Sequence, residues 1–309
     1  MGGERTVVVT GGAGFIGSHS VEALLARGWQ VRVFDNFSTG KRANLPSDRR
    51  LAVHQADIRD RAALARVLDG ASHVLHLAAQ VSVEASVADP LGSAEVNVTG
   101  FLNVLDAARH ARVQRVVYAS SAAVYGTPAQ LPLHESSATA PLSPYGLEKS
   151  INDQYAALYA SLYQISALGL RYFNVYGPRQ DPRSPYAGVI SKFVDLALAG
   201  RTLTVFGDGA QTRDFVYVGD VAAVNARALE ADAGGVVNVG TGRTTTLLDM
   251  IDALERILDK RLQRAFGPER AGDIRHSAMQ PARLASVLPP LPATTLDAGL
   301  AALVATVAR

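Results

Sequence analysis

The stretch at residues 10–17, TGGAGFIG, constrains the fold of this chain more than any other. It follows an apolar run at 6–9, which is typical of a buried parallel strand, and it leads into residues 15–27, where apolar side chains recur at helical spacing. A strand, a glycine turn and a helix in this order form a dinucleotide site, because glycines let the backbone approach a pyrophosphate and the helix N-terminus offers free N–H groups. A glycine-rich turn without a ligand is the alternative, and the flanking strand and helix favour the dinucleotide site.

Composition limits the class of protein. The chain has 309 residues, of which 48% are hydrophobic, and no apolar run is long enough to span a membrane. The polar N-terminus leads almost at once into the first predicted strand, so we expect no signal peptide and a cytoplasmic protein. Cysteine is absent, which excludes a thiol nucleophile and is compatible with a reducing compartment. The net charge of +2 predicts no nucleic-acid partner, the histidines lack metal-ligand spacing, and we expect neither a metal site nor a membrane partner.

The second predicted strand, residues 30–35, ends on Asp35, about 18 residues beyond Gly17. A carboxylate at this distance accepts hydrogen bonds from the adenosine ribose and repels a 2′-phosphate, so the sequence favours NAD over NADP. Lys41 and Arg42 follow closely and keep NADP open as the alternative, although a basic pair in a surface loop is usually only solvated.

Two acidic residues lie where strands end or helices begin. Asp57, after a third strand predicted at 51–56, either contacts the adenine amino group or caps a helix predicted at 59–68. Asp89 and Pro90 form a typical helix start. The helix after Pro90 has an apolar face with one polar interruption, formed by Val98, Phe101, Leu102 and Leu105 together with Asn97.

Two more predicted strands end on small or hydroxyl residues. Residues 73–80 predict the fourth strand and its exit, where Ala78 and Ala79 would let the backbone lie against a cofactor, whereas His76 is expected to pack. Residues 114–119 predict the fifth strand, which delivers Ser121 to the carboxyl end of the sheet, where ligands bind in open parallel sheets.

Strands alternate with helices through residue 119, which predicts an α/β fold with a doubly wound parallel sheet, a Rossmann fold, and a smaller C-terminal α/β lobe. The later signals are a strand at 168–172, a Pro/Gly-rich loop at 173–186, a helix at 187–199, a helix after Asp220, a strand at 236–239 and a helix at 247–258. We expect 1–172 and 214–242 to form the dinucleotide-binding domain and 173–213 and 243–309 to form the lobe.

Tyr145 and Lys149 lie at the start of a helix that Pro144 opens, and residues four apart share one helix face. A free tyrosine has a pKa of about 10, and lowering it to about 7 requires roughly 4 kcal/mol of preference for the phenolate. A nearby ammonium and an oxidised nicotinamide ring supply positive charge in that direction. Ser121 can hydrogen-bond the same substrate hydroxyl. A surface Tyr/Lys pair is the alternative, and the glycine turn and the serine at a strand end favour a catalytic pair.

Five segments together resemble a known family: residues 10–17, DNFSTG at 35–40, SSAAVYG at 120–126, Tyr145-x-x-x-Lys149, and RYFNVYGP at 171–178. They resemble the extended short-chain dehydrogenases/reductases, and within these the NAD-dependent UDP-sugar 4-epimerases that act on UDP-glucose or UDP-N-acetylglucosamine. The resemblance runs from about residue 7 to residue 277. It implies inversion at C4 through a transient 4-keto sugar, with NAD⁺ retained. It also implies a homodimer through helices around 97–111 and 145–162.

The resemblance assigns roles to individual residues. Tyr145 would be the catalytic base, Ser121 its partner on the substrate hydroxyl, and Lys149 the residue that tunes the tyrosine and holds the nicotinamide ribose. The implied cofactor contacts are Gly11, Gly14, Phe15, Ile16, Gly17, Asp35, Asn36, Ser38, Gly40, Asp57, Ile58, Leu77, Ala78, Ala79, Gln80, Asn97, Tyr145, Lys149 and Tyr172. The implied UDP-sugar contacts are Ser121, Asn174, Val189, Val205, Phe206, Arg213, Arg270, Asp273 and Ser277.

Local departures narrow the reaction. Related dehydratases and decarboxylases carry an acid after the serine or threonine, whereas Ala122 and Ala123 here cannot shuttle a proton, so elimination is disfavoured. A small residue at Ser277 resembles epimerases with room for an N-acetyl group, and a plain loop serine is the alternative. Gln280 and residues 284–292 depart from the family pattern. A uronate epimerase, a ketoreductase or a non-catalytic NAD(H)-sensing module remain alternatives.

Overall fold

A seven-stranded parallel sheet forms the centre of the molecule. The fold was analysed in a computed structural model that describes residues 5–182, 188–269, 274–289 and 293–307. The strands are β1 (Thr6–Thr10), β2 (Gln30–Asp35), β3 (Leu51–Gln55), β4 (His73–His76), β5 (Arg115–Ser121), β6 (Ser166–Tyr172), β7 (Asn174–Tyr176), β8 (Leu203–Phe206), β9 (Thr212–Arg213), β10 (Phe215–Tyr217), β11 (Gly235–Val239), β12 (Thr245–Thr246) and β13 (Arg264–Gly267). The large sheet has the order β11-β6-β5-β4-β1-β2-β3, which confirms the doubly wound fold.

Helices cover both faces of the sheet, as the crossovers between parallel strands require. They are α1 (Phe15–Ala26), α2 (Arg61–Leu68), α3 (Val83–Ala88), α4 (Pro90–Ala94), α5 (Gly100–His110), α6 (Pro144–Tyr163), α7 (Val189–Leu198), α8 (Val218–Ala228), α9 (Leu247–Leu258), α10 (Ala282–Val287) and α11 (Leu296–Val307). Among the described residues, no helix has both the length and the apolar character needed to cross a membrane.

The apolar core is divided between the two faces of the sheet and a third cluster. One face packs Leu24 of α1 and Val224 of α8 against the strands, and the other packs Phe101 and Leu105 of α5. The third cluster joins α7, α9 and α11 to β8, outside the large sheet. Burying a large apolar side chain stabilises the fold by roughly 1.5–3 kcal/mol, so each cluster holds its own helices in place.

Helix starts follow their capping residues, with one correction. Asp89 caps α4 by accepting from the N–H of Gly92 at 3.0 Å, and Ser143 caps α6 by accepting from the N–H of Gly146 at 3.1 Å. Of the two alternatives for Asp57, the helix cap is wrong: α2 begins two residues later than predicted, and Asp60 accepts from the N–H of Ala63 at 3.0 Å. Asp57 instead accepts from the N–H and the guanidinium of Arg59 and from the side chain of Asn36.

The predicted helix after Pro90 is interrupted. A π-helical turn at Glu95–Thr99 separates α4 from α5. Asn97 lies in this turn, only 2% exposed, on the same buried side as Phe101. The expected polar interruption is therefore a buried polar contact, and π-helical turns of this kind occur often at functional sites.

The second half of the chain departs from the prediction in its short strands. Within the loop predicted at 173–186, β7 pairs in parallel with β10, which also lies outside the predicted elements. Strand β8 pairs with β13, and β9 pairs with β12. Strands of two to four residues carry too little periodicity to be recognised from sequence.

Candidate active site

The glycine turn after β1 lies directly against the exit of β4. Gly11 has φ of +67°, and a Cβ on it would lie 2.7 Å from the N atom of Ala78. A Cβ on Gly17 would overlap the carbonyl oxygen of Gly11. Within the described residues, no side chain caps the N-terminus of α1 and its first turn carries no acid. A backbone cradle with an uncapped helix N-terminus fits a pyrophosphate.

Asp35 joins the end of β2 to this turn. It is 7% exposed, and its two carboxylate oxygens accept from the N–H groups of Ala13 and Phe37 at 2.9 and 2.8 Å. A carboxylate offers about four acceptor positions, so two remain for ribose hydroxyls. Lys41 forms an ion pair with Asp181 at 3.7 Å. The basic pair is thus partly neutralised, and the residues fit NAD better than NADP.

The predicted adenine side of the cleft lies between β2 and β3. Asn36 donates to Asp57 at 2.9 Å and accepts from the N–H of Ser38 at 3.0 Å. Hydrogen bonds from Arg59 hold the pKa of Asp57 well below its usual range. Ile58 is buried next to it and Gly40 lies beside Asp35, so the structure brings these predicted contacts together.

The exit of β4, residues 77–80, is held from two sides. The Thr10 hydroxyl accepts from the N–H groups of Leu77 and Ala78 at 3.2 and 3.3 Å. Asn97 holds the Gln80 main chain, accepting from its N–H and donating to its carbonyl, both at 2.8 Å. This segment therefore presents a fixed backbone, with Ala79 half-buried, towards the predicted cofactor.

His76 is a core residue at the end of β4. Its Nδ1 lies 2.8 Å from the Thr10 hydroxyl, and its ring packs on Phe101 with 5.3 Å between centroids. Burial, and then the charge of Lys149, lower the pKa of His76 to about 3. Because the Thr10 oxygen already accepts two N–H groups, it donates to a neutral imidazole.

Tyr145, Lys149 and Ser121 meet where β5 ends and α6 begins. Lys149 is 2% exposed, donates to the carbonyl of Ala119 at 3.0 Å, and has its Nζ 5.8 Å from the centre of the Tyr145 ring. The Ser121 hydroxyl lies close enough to the Tyr145 hydroxyl to lower its pKa. Helical spacing on α6 and the end of a parallel strand thus place all three side chains in one small space.

The electrostatics of this triad oppose a phenolate. Burial raises the pKa of Tyr145, the nearby Ser121 hydroxyl lowers it, and the carboxylate of Glu148 raises it further. Burial lowers the pKa of Lys149 to about 8, against the charges of Asp153 and Glu148. The Lys149 ammonium alone is therefore too weak a positive charge to stabilise the Tyr145 phenolate. An oxidised nicotinamide ring beside it would supply additional positive charge.

Tyr172 is placed differently from the prediction. Its side chain lies in the core between the sheet and α8, where the hydroxyl donates to Asn225 at 2.7 Å. Burial raises the pKa of this hydroxyl far above its usual value. Only the main chain of Tyr172, paired with Ser121 in the sheet, remains to meet a cofactor.

A cavity of about 320 Å³ lies between β7, α7 and β8, and Asn174 in its wall comes two residues after Tyr172, which pairs with Ser121 in the sheet. Four of the predicted substrate contacts line it, namely Asn174, Val189, Phe206 and Arg213. Arg213 donates to the carbonyl groups of Thr212 and Arg275, at 2.8 and 3.3 Å. An arginine at the wall of a pocket suits a diphosphate.

The prediction for Val205 is wrong. It is fully buried in the third apolar cluster, because side chains alternate along β8 and Thr204 and Phe206 face the cavity instead. Ser277 is half-buried and donates its N–H to Thr212 at 3.1 Å, away from the lining of this cavity. Arg270 and Asp273 lie outside the described residues.

Several site residues escaped the sequence analysis. Lys192, Gln180 and Gln211 line the cavity, and Lys192 could have been found from its spacing of three residues after Val189 on one helix face. Asp153 continues the face of Tyr145 and Lys149 by one more turn, and it pairs with the buried Arg171 at 3.0 Å. Within the described residues, no three metal-ligating side chains lie together.

Comparisons with known proteins show which family and which solved structures this chain resembles. A family model described as NAD dependent epimerase/dehydratase matches residues 7–240. A UDP-glucose 4-epimerase of Mycolicibacterium smegmatis is 40% identical over 300 residues, 95% of this chain and 96% of that protein. The structure of a UDP-N-acetylglucosamine 4-epimerase from Methanobrevibacter ruminantium, in complex with UDP-N-acetylmuramic acid, has a TM-score of 0.96 at 37% identity and covers 99% of this chain and 98% of that chain. A UDP-glucose 4-epimerase from Thermus thermophilus in complex with NAD has a TM-score of 0.89 at 39% identity, with 98% of both chains covered.

Proposed function

Because the chain belongs to the NAD dependent epimerase/dehydratase family, we propose that it is a UDP-hexose 4-epimerase. It is an enzyme of the isomerase type, and its cofactor is NAD. The observation that carries the proposal is the meeting of Ser121, Tyr145 and Lys149 where β5 ends and α6 begins, in a chain that also has a glycine cradle after β1 and a cavity with Arg213 in its wall. A non-catalytic NAD(H)-sensing module needs no such triad.

Tyr145, Ser121 and Lys149 would together transfer one proton, that of the C4 hydroxyl. The glycine turn and Asp35 would hold NAD, and this cofactor would supply reversible hydride transfer at C4 through a transient 4-keto sugar. Tyr145 Oη takes the proton of the C4 hydroxyl and later gives it back. Ser121 bonds the same oxygen and orients it. Lys149, anchored on the carbonyl of Ala119, holds its ammonium beneath the tyrosine ring.

The cavity residues would hold the UDP part of the substrate while the sugar rotates. Asn174 is fixed by a hydrogen bond to the carbonyl of Asp214 at 3.3 Å, and Arg213 is the neighbour of Asp214 along the chain. Asp214 is itself fully buried, with its carboxylate accepting from Thr241 and Gly242 at 2.8 Å. This support keeps the two polar contacts in place, and Arg270 and Asp273 would complete the site.

We propose that N-acetylated substrates are accepted as well as plain hexoses. A small side chain at Ser277 supports this, as does the resemblance to a UDP-N-acetylglucosamine 4-epimerase. The division into a dinucleotide-binding domain at 1–172 and 214–242 and a lobe at 173–213 and 243–309 is likewise a proposal. The third apolar cluster, drawn from residues 176–304, supports it.

A homodimer is proposed through the helices around 97–111 and 145–162, and the exposed apolar face of α6 supports it. Leu147, Leu158, Leu162 and Tyr163 are exposed on this helix, and Leu91, on the adjoining α4, is 80% exposed. Apolar side chains grouped on neighbouring helices mark a contact surface. Light scattering after size exclusion would give twice the chain mass, and Leu158→Glu would reduce it to one chain. The location in the cytoplasm stays a prediction.

The test of the activity is NMR of the anomeric protons in a panel of UDP-sugars. The panel contains UDP-glucose, UDP-galactose, their N-acetylated counterparts and UDP-glucuronic acid. We expect a second anomeric signal to grow with each hexose and N-acetylhexosamine without added cofactor. Conversion of UDP-glucuronic acid alone would indicate the uronate epimerase, and consumption of added NADH without an isomer would indicate the ketoreductase. No conversion of any sugar by protein that contains NAD would refute the proposal.

A further inference from the structure

Glu148 is a buried carboxylate that the proposed chemistry does not use. It lies on α6 directly before Lys149, and 4% of it is exposed. Its Oε2 accepts from Ser93 Oγ at 2.9 Å and from Asn97 Nδ2 at 2.6 Å. Its Oε1 is buried without a hydrogen-bond partner among the described residues. Burying a carboxylate oxygen without a partner is costly, so another gain must offset the cost.

The first gain is the orientation of the Asn97 amide. Nδ2 donates to Glu148 Oε2 and to the carbonyl of Gln80, while Oδ1 accepts from the N–H of Gln80. A carboxylate only accepts, so Glu148 adds a third contact that selects the same amide orientation as the N–H and the carbonyl of Gln80. A flipped amide would set oxygen against oxygen at Glu148 and mismatch both main-chain groups.

Through Asn97, Glu148 also helps to hold the main chain at the exit of β4, residues 77–80. The Thr10 hydroxyl holds Leu77 and Ala78 from the side of β1. Asn97 holds Gln80 from the side of α6, and Glu148 fixes Asn97. The backbone expected to face NAD is thus tied to the helix that carries Tyr145 and Lys149.

The third consequence is electrostatic. After burial, which has the larger effect on both groups, the charge of Glu148 raises the pKa of Tyr145 and of Lys149. The other ionisable groups around the pair are His76 from β4, Asp153 from α6, and Arg171 from β6, which pairs with Asp153. Glu148 is thus a negative charge within the site, beside the proton-transfer pair.

We propose that Glu148 is a positioning residue: it fixes the Asn97 amide, holds the Gln80 main chain in place for NAD, and places one negative charge beside Tyr145 and Lys149. This inference rests on the proposed function, because it assigns a role around the cofactor and the proton transfer.

Glu148→Gln tests the charge. Glutamine keeps an acceptor oxygen for Ser93 and Asn97 and removes the negative charge. The pH at which kcat for UDP-glucose rises to half of its plateau should move down by roughly one unit, because a neighbouring charge shifts a pKa by about this amount. Glu84→Gln, at an exposed position on α3, is the matched control and should keep the wild-type profile. A Glu148→Gln profile equal to that of the control would overturn the electrostatic role.

Glu148→Ala tests the positioning without using turnover. Two buried donors, on Ser93 and Asn97, lose their acceptor, and NAD should bind roughly tenfold more weakly in equilibrium dialysis. Glu84→Ala should bind as the wild type does, and equal affinity for both variants would overturn the positioning role. Should Glu148→Ala fail to fold, Glu148→Met, which fills similar space but offers no acceptor oxygen to Ser93 and Asn97, replaces it in the same dialysis with the same expected result. A wild-type protein that converts no UDP-sugar would instead refute the proposed function, and the role of Glu148 with it.

Discussion

The cofactor side and the nucleotide-sugar side of the site are built in different ways. The cofactor side consists of a glycine turn, strand ends and the first turns of α6, all set by the large parallel sheet. The sugar side is built from β7 to β9 and from α7, which no large sheet orients. On the first side the main chain decides what a ligand meets. On the second side the direction of single side chains decides it, so we expect substitutions there to change preference more than catalysis.

The largest effect should come from Tyr145→Phe on the cofactor side. Removing a positioned acid/base group costs about 10²–10⁴-fold in rate, so kcat for UDP-glucose should fall by roughly 10³-fold. Bound NAD, released by acid and quantified, should be unchanged. Tyr155→Phe on the same helix is the control. Turnover within threefold of the wild type would remove Tyr145 from the mechanism.

A second test on the cofactor side measures how the free energy of unfolding depends on pH through Lys149. Burial lowers the pKa of Lys149 to about 8 from 10.5, so between these values the unfolded chain binds a proton that the folded chain has released. The free energy of unfolding should therefore rise with pH, by about 2 kcal/mol between pH 8 and 9.5. Urea titrations of Lys149→Met should lack this rise, whereas Lys260→Met at an exposed position should keep it. A difference between wild type and Lys149→Met that is constant with pH would contradict the burial of an ionisable lysine.

On the sugar side, Arg213→Lys should act on binding. Lysine cannot form the paired contact of a guanidinium with a diphosphate, so KM for UDP-glucose should rise about tenfold with little change in kcat. Arg201→Lys, exposed in the turn before β8, should leave both constants unchanged. A fall in kcat with constant KM would place Arg213 with the reacting groups instead, and the two sides would not be separable.

The smallest effect should come from Ser277→Tyr. A bulky ring should reduce kcat/KM for UDP-N-acetylglucosamine several-fold relative to UDP-glucose, because the N-acetyl group needs the space. Ser277→Ala keeps a small residue and should leave the ratio unchanged. Equal losses for both sugars would show that this position sets no size limit.

The cofactor side could be predicted from sequence because its signals are local. The glycines at 10–17 indicate the backbone conformation of the turn, and the spacing from Tyr145 to Lys149 indicates that the two residues share a helix face. The doubly wound sheet followed from alternating strands and helices, and the structure confirms it. The cap of α2 was misplaced because Asp57 and Asp60 both precede one helix start. In the structure Asp60 accepts from Ala63, whereas Asp57 accepts from Asn36 and Arg59.

The rest depended on partners that lie far away in the chain. Val205 and Phe206 were both assigned from the family resemblance, although neighbours along a strand face opposite sides, and the structure places Phe206 at the cavity and Val205 in the core. Tyr172 was assigned to the cofactor, yet its hydroxyl finds Asn225 in α8. Glu148 escaped notice because its role depends on Asn97, 51 residues earlier in the chain.

Because Asn97 lies in the π-helical turn at Glu95–Thr99, the direction of its side chain depends on the number of residues in that turn before α5. Each residue of an α-helix advances the direction of the side chains by about 100°. Deleting Val98 would remove the bulge and swing Asn97 away from both Gln80 and Glu148 by that angle, although every chemically active side chain would still be encoded. A single lost codon in this short segment would thus be more harmful than most replacements within it.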